Sequence, residues 1–186
     1  MSRIQAIEPA AAETAAKAML EGIQKKFGAL PNLFKVLAHS PAALQFYVGQ
    51  IEALTKGVLD PQLREQLAVV TAGANHCDYC ASAHTLMGKG AGLTERELAQ
   101  NLHGRSLNPR TEAALKLARS ILEHRGEVSD EDLKAAREAG YSEAELVEIM
   151  AHVGMNIFTN YFNRLAKTEV DFPLVSTSSV DSPQVK

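Results

Sequence analysis

Cys77 and Cys80 are the only cysteines in 186 residues, set within Asn75-His76-Cys77-Asp78-Tyr79-Cys80-Ala81-Ser82-Ala83-His84. Two cysteines are too few for a disulfide scaffold, and a close pair in a reducing compartment is more often redox-active or metal-binding than a staple. Gly73 weakens the preceding helix and Asn75 is a good N-cap, so the sequence predicts a new helix from His76. At about 100° per residue, Cys77, Cys80 and His84 then fall within about 60° of one another. Cys80 and His84 are i, i+4 neighbours, which lets the imidazole take a thiol proton. Cys77 lies in the first turn, where the helix dipole and open N–H groups favour thiolate. A thiolate, a resolving thiol and a base in so short a span suit thiol–disulfide or thiol–peroxide chemistry.

Four other readings compete. A c-type haem site needs histidine directly after the second cysteine, where this chain has Ala81. A thioredoxin-like pair needs a βαβ setting, and no strand pattern supplies one. Zinc is the serious rival, with Cys77, Cys80 and His84 as three ligands and His76 or Glu65 as a fourth. Structural zinc sites usually draw two ligands from each of two knuckles, however, and there is no second Cys/His pair. The last reading is an inert core of two buried cysteines and a packed histidine. Redox chemistry ranks first, metal second and inert packing third.

Other polar residues are less telling. Glu65 stands just before Leu67–Ala74, which is uncharged on every face, and a carboxylate at such an edge suits proton transfer. By itself it reads as a solvated glutamate. His152, Asn156 and Asn160 repeat every four residues on a helix rich in Ile, Met, Val and Phe. They read as satisfied buried amides or one exposed face slightly ahead of a cavity lining or an oligomer interface. Leu44, Phe46, Tyr47 and Ile51 read as core ahead of a substrate groove.

The elements that must position these residues are helical. Ser40-Pro41, Asp60-Pro61 and Asn108-Pro109 each pair an N-cap with a proline at the first helical position. Thr94/Glu97, Ser129/Asp132 and Ser142/Glu145 have capping-box spacing. Gly28, Gly92, Gly126 and Gly140 suit the left-handed position after a helix. Met19, Leu20, Ile23 and Phe27 form one apolar stripe, and Ala114, Leu117, Ala118 and Ile121 another. No segment alternates with period two. The fold class is therefore all-α, with helices expected over 9–27, 31–39, 41–56, 61–74, 76–90, 94–102, 109–125, 129–139 and 142–166. Residues 167–186 read as a tail docked through Phe172 and Leu174. Ala91–Leu98 and Ala139–Leu146 echo each other, as a duplicated helical unit or a convergent helix–Gly–cap joint would.

Composition excludes several classes. Lys and Arg number 19 against 22 Asp and Glu, a net charge of −3 that offers no footprint for nucleic acid or anionic lipid. The longest uncharged run, Val36–Ile51, is too short for a bilayer. Met1–Leu20 carries Arg3, Glu8, Glu13 and Lys17 and does not resemble a signal peptide. A soluble, cytoplasmic protein is expected, with no nucleic-acid or membrane partner.

The Glu-x11-Cys-x2-Cys-x3-His spacing from Glu65 to His84 resembles the alkylhydroperoxidase D group of the carboxymuconolactone decarboxylase-like superfamily, over roughly Asp60 to Ala166. Gly28–Phe34, Leu37–Pro41 and Asp171-Phe172-Pro173 resemble its uncharacterised peroxidase-related branch. The resemblance implies an all-helical fold with a core over 58–166, an N-terminal helical extension over 1–57 and the tail. It implies reduction of organic hydroperoxides, with hydrogen peroxide as a further substrate. Cys80 would then be peroxidatic, Cys77 resolving, His84 the base and Glu65 its relay partner, with no cofactor or metal. It also implies a homo-oligomer, a trimer or hexamer, recycled by an external dithiol or disulfide reductase. The helix-dipole argument ranks Cys77 above Cys80, and the resemblance ranks them the other way. Some members carry histidine just before the second cysteine. Here that place is Tyr79, and His76 reads as a surface or capping residue. A zinc-binding or structural module and a lactone decarboxylase on the same fold remain the alternatives.

Overall fold

Pro41, Pro61 and Pro109 each begin a helix behind a side chain that accepts from the first turn. Ser40 takes the Ala43 N–H at 3.3 Å, Asp60 that of Leu63 at 2.9 Å, and Asn108 those of Arg110 and Thr111. The computed structural model describes residues 1–178 and 180; of Phe27, only its place at a helix end is described. The helices are α1 (Thr14–Phe27), α2 (Asn32–Leu37), α3 (Pro41–Thr55), α4 (Pro61–Ala74), α5 (Asp78–Gly90), α6 (Glu95–Asn101), α7 (Pro109–Glu123), α8 (Asp130–Glu138) and α9 (Glu143–Ala166). No strand occurs among the described residues, so the all-α reading stands. No helix of these residues is long and apolar enough to cross a membrane.

The expected helix over 9–27 is divided. Pro9–Ala11 forms a separate 3-10 turn, with Ala12 and Glu13 in non-helical conformations before α1 begins. A larger departure falls at the cysteines. Helix α4 runs through Gly73 to Ala74, Asn75 closes it as C-cap, His76 takes a left-handed φ of 52°, and Cys77 itself is the N-cap of α5. Gly73 lies inside α4, which ends at Ala74 as expected. A Cβ there would meet the Leu102 carbonyl oxygen, so the glycine permits close approach of the backbone that follows α6.

Helix α4 lies at the centre. Every residue from Gln66 to Ala74 is buried, as expected of a helix packed on all sides. Its Val69 and Ala72 join a core with α1, α2, α3 and α5, while Leu63, Leu67 and Val70 join a second with α7, α8 and α9. The two echoed joints share one backbone design. Gly92 and Gly140 have φ of 92° and 91°, and Leu93 N–H reaches Gly88 O as Tyr141 N–H reaches Ala136 O. Ser129/Asp132 and Ser142/Glu145 form complete capping boxes. Thr94 caps α6 alone, because the Glu97 carboxylate turns inward to accept from Gln66, Asn101 and Ser106.

The C-terminal segment lies along α5. Phe172 packs edge-on against Tyr79 with ring centroids 5.5 Å apart. Val175 N–H donates to Ser82 Oγ at 2.9 Å, and Thr177 donates its N–H (2.8 Å) and hydroxyl (2.6 Å) to Asp78 Oδ1. Leu174 takes no part in this docking and is exposed. Residues 179 and 181–186 of the expected tail lie outside the described residues.

Candidate functional site

The cysteine pair sits where α4 hands over to α5. Cys77 and Cys80 form a disulfide with Cα atoms 5.3 Å apart, and the Cys80 N–H donates to Cys77 Sγ at 3.3 Å. The sulfur of Cys77 thus does the work usually given to a serine or aspartate oxygen at an N-cap. Both residues are almost wholly buried, at 2% and 3% exposure.

One turn beyond Cys80, His84 Nδ1 lies 2.8 Å from Glu65 Oε2, reaching from α5 to the early part of α4. A carboxylate only accepts, so this contact makes Nδ1 the donor and leaves Nε2 as the basic nitrogen. Cys80, His84 and Glu65 all border one cavity of about 400 Å³. Cys77 is not in its lining. Leu33, Phe34, Ile51, Leu54, Met155 and Phe172 give the cavity its apolar walls, so α2, α3, α9 and the tail complete a space whose chemistry comes from α4 and α5.

Several residues carry more than their sequence reading assigned. Tyr47 and Ile51 line the cavity while Tyr47 also belongs to the core, and Phe46 is exposed, touching Phe158 edge-on. Tyr79 anchors the roof: its hydroxyl accepts the Leu33 N–H at 3.0 Å, and the Asp171 carboxylate accepts the adjacent Asn32 N–H. Burial pushes the Tyr79 and Tyr47 hydroxyls well above the usual tyrosine range. His152 and Asn156 line the cavity, while Asn160 is buried and accepts from Asn75 Nδ2 at 3.1 Å. Burial first, and then the charge of Arg64, lower the His152 pKa to about 4, with Glu148 and Glu65 opposing. Its Nε2 has no hydrogen-bond partner among the described residues. Those four-residue repeats therefore divide between cavity wall and helix contact, and none forms an exposed face.

Asn163 escaped the sequence reading. Its Nδ2–H donates to Cys80 Sγ at 3.3 Å from the far end of α9. It lies three residues after Asn160 and so extends the same polar line, a signal present in the sequence but indistinct without the fold. His76 is half-buried in the joint. Among the described residues no three His, Cys, Asp or Glu side chains are grouped to hold a metal ion.

An all-helical fold in which Cys80, His84 and Glu65 border one largely apolar cavity has comparable solved members. A peroxidase-related protein from Ralstonia eutropha JMP134, an alkylhydroperoxidase D core, is 26% identical and superposes with a TM-score of 0.84 over 91% of this chain and 92% of its own. A peroxidase-related protein from Silicibacter sp. TM1040 is 21% identical, with a TM-score of 0.77 over 89% and 91%. The debrominase Bmp8, solved as a cysteine variant with 2,3,4-tribromopyrrole, shares the fold at 17% identity and a TM-score of 0.77 over 90% and 91%. The carboxymuconolactone decarboxylase family profile matches residues 41–120. No curated protein matches by sequence. The chain is thus similar to the carboxymuconolactone decarboxylase family over residues 41–120 and shares the fold of the alkylhydroperoxidase D-like core.

Proposed function

We propose that this protein is a cysteine-based peroxidase that reduces organic hydroperoxides, and hydrogen peroxide as a smaller substrate. The observation that carries the reading is that Cys80 borders the same apolar cavity as the His84–Glu65 pair, while Cys77 is not in its lining. His84 Nε2 takes the Cys80 thiol proton, and the thiolate attacks the outer peroxide oxygen. The O–O bond breaks, and the proton returns to the departing alkoxide, giving an alcohol and a Cys80 sulfenic acid. The Cys77 thiol then displaces hydroxide from that sulfur, which leaves as water, and the disulfide forms. An external dithiol or disulfide reductase restores both thiols in a reducing, cytoplasmic setting. Assembly as a homo-oligomer, a trimer or hexamer, accords with exposed Val147, Met150, Tyr161 and Leu165 along α9.

The similarity of residues 41–120 to the carboxymuconolactone decarboxylase family also admits a decarboxylase-like activity, which would need no thiol. The apolar cavity beside a cysteine favours one further reading, reductive dehalogenation of an aromatic ring, as the name debrominase implies for Bmp8. There the two thiols would be oxidised to the disulfide as a carbon–halogen bond became carbon–hydrogen and halide left. The test counts free thiols after the reduced protein is mixed with one equivalent of cumene hydroperoxide. Loss of both without intermolecular cross-links is expected. Cys80→Ser should abolish turnover, and Cys77→Ser should stop at one sulfenic acid trapped by dimedone. Thiols that outlast those of a small free thiol would overturn the proposal, and their loss to a bromopyrrole instead would assign dehalogenation.

A further inference from the structure

Once the disulfide is reduced, two neighbouring sulfurs compete for one negative charge. Cys77 has the stronger local claim, as the N-cap whose sulfur already receives the Cys80 N–H. Local helix physics alone would make the sulfur outside the cavity lining the nucleophile. A group from elsewhere in the fold must favour the other sulfur if Cys80 is to attack.

Asn163 is placed to do so. Its side chain is buried at 3% exposure, lines the same cavity and donates to Cys80 Sγ at 3.3 Å. Against the disulfide or a thiolate, the opposite amide orientation would set a carbonyl oxygen against sulfur lone pairs, two acceptors facing each other. Helix α9 is itself fixed against the cysteine joint. Arg164 donates to the Asn75 carbonyl at 2.6 Å, and the Asn160 side chain accepts from that of Asn75. The donor is therefore held on a rigid element at a fixed distance from the sulfur, and little reorganisation is needed when charge develops there.

We infer that Asn163 is the positioning residue that makes Cys80, rather than Cys77, the attacking thiolate. This rests on the proposed peroxidase reading for its purpose, though not for its test. A hydrogen bond donated to the charged form of a buried group favours that form, and its loss shifts the protonation balance by about tenfold. The titratable and charged groups that share the cavity with Cys80 are Tyr47, Arg64, Glu65, Tyr79, His84 and His152. Asn163 is uncharged and does not titrate, so its replacement by another neutral residue changes the donor without adding a charge to that set.

The experiment measures the pH dependence of iodoacetamide alkylation in reduced protein with a single thiol. In a Cys77→Ser background, Asn163→Leu should raise the Cys80 midpoint by about one pH unit, cutting alkylation on the acid side about tenfold. In the reciprocal Cys80→Ser background the same replacement should leave the Cys77 midpoint where it was. Asn163→Ala, which shortens the side chain and cannot overpack, decides the question if the leucine variant does not fold by circular dichroism. An unchanged Cys80 midpoint in a folded variant, or an equal shift at both cysteines, overturns the inference. No peroxide enters the measurement, so a protein that failed to reduce hydroperoxides would still give a clear answer about Asn163.

Discussion

In the peroxidase reading His84 is the base, and Glu65 selects its tautomer. The 2.8 Å contact to Nδ1 keeps that nitrogen protonated and leaves the basic lone pair on Nε2. Glu65→Gln keeps the size of the side chain but removes the charge that holds the tautomer and steadies the imidazolium. In the peroxidase reading it should slow thiol oxidation by about tenfold, while His84→Gln, which removes the base itself, should cost about a hundredfold or more. Stopped-flow measurement of thiol loss under excess hydroperoxide checks both, and equal rates for Glu65→Gln and wild type would remove Glu65 from the relay. These residues differ in how legible they were. Cys80 and His84 share a helix face one turn apart, which spacing alone reveals. Glu65 was a solvated glutamate by composition and acquired a role only through resemblance, because its partner lies on another helix. Asn163 is separated from Cys80 by 83 residues, and no local period brings the two together.

Helix ends explain both the success and the failures of the element reading. Proline after a capping side chain is a local signal with a local cause, so α3, α4 and α7 begin where Ser40, Asp60 and Asn108 say they should. Asn75 misled because a residue that closes one helix and one that opens the next look alike in sequence, and here it closes α4 while Cys77 caps α5. Gly73 stays inside α4, where the approach of Leu102 requires it. The docked C-terminal segment was half legible for a similar reason. Phe172 announced itself as an apolar residue in a polar tail, whereas the hydrogen bonds of Thr177 to Asp78, between the two cysteines, needed the fold. Phe172→Ala with Thr177→Val should therefore cost about 3 kcal/mol, the sum of a partly buried ring, its edge-on contact and the Thr177 hydroxyl bond. Urea unfolding measures this. The same variant should also speed reduction of the Cys77–Cys80 disulfide by a small phosphine, since Asp78 and Tyr79 lose part of what covers them. A loss of stability with an unchanged reduction rate would show that the segment only braces the fold.

At the scale of the whole molecule, the cavity imposes a cost that depends on pH. His152 is kept neutral by burial and by Arg64, its pKa lowered to about 4, whereas in the unfolded chain a histidine titrates near 6.5. Above the unfolded value both states carry a neutral ring, and the folded protein has its full stability. As pH falls below about 6.5 the unfolded chain takes up a proton that the folded one refuses, so stability declines until pH reaches the folded value near 4. Glu97, Glu112, Asp132 and Glu145 also lie below their ordinary values in the folded state. Their contribution is present above the unfolded carboxylate range and is lost only below about pH 4.5, which leaves the interval from 6.5 to 4.5 to His152. His152→Gln removes this group and leaves every other titratable side chain in both proteins. Between pH 7 and pH 5 the wild type should lose about 2 kcal/mol more than His152→Gln, at about 1.4 kcal/mol per unit of pH. Urea midpoints at the two pH values decide the matter whatever the variant's absolute stability. Parallel losses would mean that His152 accepts its proton within the folded protein, and that Glu65 and Glu148 outweigh Arg64 and the surrounding apolar walls.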